Sequence, residues 1–184
     1  MKRQLSITFL LLFSALSASA QKTNDAIQKQ IKSLKAEKQI MLTYDPAGST
    51  KIMAISDNFA DAETKAAGIQ AMNFAMAFNY AGSTLTASPE TIDLAFWVMA
   101  KKPVFVTSHG WKASIGTETL DIGDARYGAQ ARENMEYLNF KLKREHLTKI
   151  ANSTGKITLG TSNFTFTESQ LTLLKNVLAV SDAK

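Results

Sequence analysis

The chain has 184 residues, 21 Lys and Arg against 16 Asp and Glu, and no cysteine. A net charge of +5, or +3 once Lys2 and Arg3 are set aside, is too mild for a nucleic-acid partner, which needs a concentrated basic face. Without cysteine there is neither a disulfide nor a thiolate metal site, so stability rests on packing in a chain long enough for one sizeable core.

Lys2 and Arg3 precede a short apolar run over residues 5–16, and Ala18-Ser-Ala20 follows with the small-x-small pattern a signal peptidase requires. Residues 1–20 are therefore expected to be a signal peptide, and 21–184 a single exported α+β domain starting at Gln21. The competing reading, an uncleaved anchor, meets the difficulty that a spanning helix needs roughly 20 apolar residues. No cysteine follows the site to take a lipid, and no second apolar run approaches spanning length. Stable membrane insertion after cleavage is not expected. The Ala20–Gln21 junction suits a bacterial envelope protein, periplasmic or secreted.

Residues 25–38 read as a helix with Ile27, Ile31 and Leu34 on one side and lysines over much of the remainder, an ordinary solvated face. Residues 39–44 and 51–56 read as a hairpin around Asp45-Pro-Ala-Gly-Ser49, where Pro presets φ and Gly tolerates positive φ. Over residues 70–80, Met72, Phe74, Met76, Phe78 and Tyr80 alternate with Ala71, Asn73, Ala75, Ala77 and Asn79. The large set implies core. The small set implies a close-packed second layer or a face open to solvent or ligand.

Residues 91–100 repeat the alternation, with Asp93 and Trp97 opposite Ile92, Leu94, Phe96 and Val98; Lys101-Lys-Pro103 interrupts it and residues 104–106 resume as strand. Residues 111–115 and 119–122 form a second expected hairpin, and 125–134 read as a mobile loop with a helical turn at 129–133. Then come a strand over 137–142, a helix over 144–152, a hairpin over 156–167 and a last helix to Val180. Thr167-Glu-Ser-Gln170 opens that helix as a capping box, and Leu171, Leu174 and Leu178 line one side. Strands in front and helices at the end, with short turns between strands, predict an α+β fold. Its mostly antiparallel sheet is packed by the C-terminal amphipathic helix, and an N-terminal helix lies on the domain or leads into it.

Chemistry is sparse. His109 follows Ser108 between two strands and is expected at the surface, and His146 on its helix is expected to face solvent. Serine beside histidine in sequence is weak evidence for a nucleophile and base, since triad partners meet through the fold. Two histidines without cysteine supply too few ligands for zinc. Asp57, Asp61 and Glu63, or Asp121 and Asp124, could offer oxygens to calcium, but neither group fits the EF-hand pattern. No phosphate-cradling Gly-rich loop is present, so no metal, cofactor or catalytic residue is assigned. Asn152-Ser-Thr154 and Asn163-Phe-Thr165 match the glycosylation acceptor, which matters only in a eukaryotic secretory route. His109, Trp111 and Tyr127, near expected loops, are the candidate ligand-binding residues.

The ending, Leu147-Thr-Lys-Ile150, Ile157-Thr-Leu-Gly160, Phe164-Thr-Phe166 and Gln170-Leu171, resembles that of a group of small exported bacterial proteins without an assigned activity. The resemblance covers about the last quarter of the expected mature chain and implies an exported sheet-rich domain, with no site residues. The expectation is a non-catalytic extracytoplasmic binding or interaction module whose ligand and envelope or extracellular partner are unknown. The alternative is an envelope or secreted hydrolase using carboxylates or Ser108 and His109.

Overall fold

The computed structural model describes residues 21–45, 47–130 and 134–183, so the expected signal peptide, Pro46 of the expected turn and most of the expected 129–133 helical turn lie outside the described residues. In chain order the elements of the front half are β1 (Lys22–Thr23), α1 (Asn24–Ser33), β2 (Ile40–Asp45), β3 (Ser49–Ile55), α2 (Asp61–Ala66), β4 (Ala71–Ala81) and β5 (Thr84–Leu85). The rest are β6 (Thr91–Met99), β7 (Gly110–Ile115), β8 (Glu118–Asp124), β9 (Arg126–Gln130), β10 (Met135–Lys143), α3 (Arg144–Ala151), β11 (Lys156–Leu159), β12 (Ser162–Thr165) and α4 (Glu168–Val180). All strand pairs are antiparallel. A six-stranded sheet runs β2-β3-β4-β6-β10-β9, a four-stranded sheet runs β12-β11-β7-β8, and β1 pairs with β5.

Alternation explains the large sheet. Met72, Phe74, Met76 and Phe78 of β4 and Ile92, Leu94, Phe96 and Val98 of β6 are all buried, while their neighbours in sequence turn the other way. The two sheets meet through aromatic rings: Phe96 lies 5.2 Å from Trp111 of β7, and Phe74 lies 5.4 Å from Phe166 beyond β12. Such edge-on contacts add to the area buried. Gly48 of the β2–β3 turn behaves as predicted. Asp45 Oδ1 accepts from the Ala47 amide at 2.9 Å, and Gly48 takes φ 103°, where a side chain would be strained.

The capping box of α4 forms as expected: the Gln170 amide donates to Thr167 Oγ1, and Gln170 Oε1 accepts from the Thr167 amide. The buried stripe is rotated from the expected one. Leu173, Leu174, Val177 and Val180 are buried, whereas Leu171 and Leu178 are only half-buried. The helix lies beside α3 and α1, and Gln30 Nε2 of α1 donates to Ala179 O at 3.2 Å.

Four expectations need correction. The first helix ends at Ser33 rather than 38, because Lys35 turns to φ 54°. Residues 61–66 form the unexpected helix α2. Residues 104–106 are not a strand, since the Val104 and Phe105 amides are taken by the Glu136 carboxylate instead of a neighbouring strand. The expected loop after Ala125 is instead the edge strand β9, paired with β10 from Arg126 to Gln130.

Candidate functional site

The outward residues of the six-stranded sheet stand in rows across the strands. Ile55, Ala75, Ala95, Asn139 and Arg126 are neighbours in register. Met53, Ala77, Asp93 and Lys141 form the next row on one side, and Asn73, Trp97, Tyr137 and Gly128 the row on the other. Because the middle of this surface carries only methyl groups, it sinks into a trough of about 660 Å³, a size typical of small-molecule sites. Met53 and Trp97 line its apolar part, and Asp93, Arg126, Asn139 and Lys141 its polar part.

Trp97 is held on edge by Tyr137, with ring centroids 6.5 Å apart at 81°, and the Tyr137 hydroxyl donates to Gln130 Oε1 at 3.1 Å. Beyond Trp97 a second hollow of about 230 Å³ continues over Asn73, Met99 and Met135. The indole is thus a ridge between two depressions. Among the described residues neither Asp93, Arg126 nor Lys141 lies within 4.0 Å of an opposite charge. Among the described residues Asp93 and Lys141 stand opposite each other in register without touching, and Arg126 has no carboxylate within 4.0 Å.

Of the three residues singled out from sequence, two meet, and they do so behind the sheet. The His109 and Tyr127 rings stack at 4.6 Å and 11°. The Tyr127 hydroxyl donates to Glu136 Oε1 at 3.0 Å, and that carboxylate, 3% exposed, also takes the amides of Val104 at 2.7 Å and Phe105 at 2.9 Å. Burial first, then the hydrogen bond to Glu136 and its charge, push the Tyr127 phenol above the ordinary tyrosine value. Together these groups brace residues 101–109. The expectation of a surface His109 is corrected, since the ring is half-buried with Nε2 enclosed. Trp111, 0% exposed, is a core residue packed 5.1 Å from Phe140, so it presents nothing to solvent.

No hydrogen bond joins Ser108 to His109 among the described residues, and His146 Nε2 lies 3.5 Å from Glu145 Oε1 on its half-buried helix face. Four of the carboxylates considered for calcium have structural partners, two of them far away in sequence. Glu63 takes the Thr165 amide, Asp57 takes the Ser169 hydroxyl, Asp61 pairs with Lys65, and Asp121 takes the Gly123 amide. Among the described residues no group of three or more His, Asp or Glu could hold a metal ion.

Comparison with protein-family models, curated proteins and solved structures returns no match. The trough has to be read from its own residues. Of these, Ala75, Ala77, Asp93 and Trp97 lie on faces the alternation had separated from the core. Arg126, Asn139, Lys141 and Met53 were missed as site residues. Asn139 and Lys141 fall within the strand expected over 137–142, but Arg126 joins the trough only through β9. Among the described residues no helix is long and apolar enough to cross a membrane.

Proposed function

We propose that the chain is a non-catalytic binding module working outside the cytoplasm, carried there by residues 1–20 as a signal peptide, and that its ligand seats on the outer face of the six-stranded sheet. One observation supports this most: alanines occupy the outer face of two adjacent central strands. An antiparallel sheet that faces only water alternates apolar residues with polar ones. Alanine is also a poor strand former, so Ala75, Ala77 and Ala95 weaken the pair they sit on. A close-fitting body above them gives that choice a physical reason. The groups around the floor suit recognition, because Trp97 offers a flat apolar ring and Asp93, Asn139, Arg126 and Lys141 offer directed polar contacts. On the other side we take α4 to close the core, which is supported by Leu173, Leu174 and Val177 belonging to the same buried cluster as Phe74 and Phe96. The partner is expected in the envelope or the extracellular medium.

The test is NMR of protein carrying 13C-methyl methionine, titrated with the small-molecule fraction of an envelope extract. Shifts of the Met53 methyl and the Trp97 indole, with the Trp111 indole and Met72 unmoved, support the reading. Shifts confined to other residues, or none at all, contradict it.

A further inference from the structure

Resting on that reading of the sheet face, we infer that the trough takes an amphipathic anion, its apolar body lying across the strands over Ala95 and Ala75 and its anionic head at Arg126. The central row is graded along its length: Ile55, Ala75 and Ala95 are apolar, Asn139 is polar, and Arg126 at the far end is cationic. Within the trough this row runs from Ala75 to Arg126, three strand spacings of about 4.8 Å or roughly 14 Å, which suits an extended medium-length acyl chain. Trp97 walls one flank of the floor and Met53 the other.

Charge decides which head fits. Asp93 stands directly opposite Lys141 on the neighbouring strand, so those two fields largely offset each other. Arg126, one row away beside Asn139, has no carboxylate within 4.0 Å among the described residues. One Nδ2 hydrogen of Asn139 goes to Arg126 O at 3.2 Å, and that contact steadies the strand beneath the guanidinium. The guanidinium therefore remains to receive an anion, and its planar fork suits a carboxylate or a phosphate. A cationic amphiphile of equal length would meet repulsion at the same end.

The experiment titrates methyl-labelled protein with dodecanoate and, separately, with dodecyltrimethylammonium, both kept below their micelle thresholds. Dodecanoate is expected to shift the Met53 methyl saturably and to bind about ten-fold more tightly than the quaternary ammonium at low salt, with the gap narrowing as salt rises. Arg126→Glu should reverse the preference, with Arg126→Gln removing it should the first variant fail to fold. Equal affinity for the two amphiphiles, or no effect of either substitution, overturns the anionic head while leaving the trough as a binding face. No Met53 shift with either probe overturns this inference alone if the envelope fraction does move Met53, and both readings if it does not. A Met53 shift that depends on protein concentration without any probe means a second copy covers the face, and overturns both.

Discussion

Ala75 stands directly opposite Ala95 across the β4–β6 pair, and both methyl groups face away from the aromatic core. Replacing Ala95 with Phe raises a ring out of the floor where the apolar body is proposed to lie. Dodecanoate binding should fall at least ten-fold, while stability to urea changes by no more than about 0.5 kcal/mol, as for other surface positions. Unchanged binding in a folded Ala95→Phe protein would place the ligand elsewhere.

Glu136 holds three donors at once, from Val104, Phe105 and Tyr127. Truncation in Glu136→Ala leaves them without an acceptor in a buried place and should cost about 3 kcal/mol or more. Glu136→Gln keeps one oxygen acceptor and should cost less. Hydrogen exchange gives the local signature: in the Ala variant the Val104 and Phe105 amides lose protection before those of β4.

Alkaline conditions probe the same cluster. The folded protein holds the Tyr127 proton more tightly than the unfolded chain does. That contribution is complete below the ordinary tyrosine pKa of about 10 and is lost as pH rises through the higher folded value. Tyr80 is also raised, chiefly by burial, and adds to the loss. Urea midpoints should therefore hold from pH 8 to about pH 9 and decline above about pH 10, and Tyr127→Phe should flatten part of that decline while lowering the midpoint at pH 8 through the lost hydrogen bond. An unaltered slope in Tyr127→Phe would show that Tyr127 takes no part in the loss.

Phe164 is 1% exposed, with its ring 5.9 Å from that of Phe59. Phe164→Ala should cost about 3–5 kcal/mol in chemical denaturation, and a loss below about 1 kcal/mol would contradict its burial. Thr167→Ala, which removes the α4 cap, should cost about 1 kcal/mol.

The parts legible in sequence are those where one local rule acts alone. Alternation in β4 and β6 separated Phe74 and Phe96 from Ala75 and Ala95, and Thr167 with Gln170 announced the start of α4. The edge strand β9 was hidden because Arg126-Tyr-Gly-Ala-Gln130 has one large apolar residue and a central Gly, which weakens any strand signal. Helix α2 is six residues long with no side-chain cap, too little for periodicity to register. Val104 and Phe105 looked like strand, but a carboxylate thirty-odd residues downstream takes their amides. For the trough, sequence showed that a small-residue face exists. Whether it is open depends on which elements cover it, and its cationic end depends on β9, so neither could be read locally.

The central claim is that the outer face of the six-stranded sheet is where this protein meets its ligand. A crystal structure of the protein grown with dodecanoate tests it most directly. The account predicts density for the chain over Ala75 and Ala95 beside Trp97, with the carboxylate at Arg126. Density for the probe at any other site, with the alanine floor bare, would contradict it.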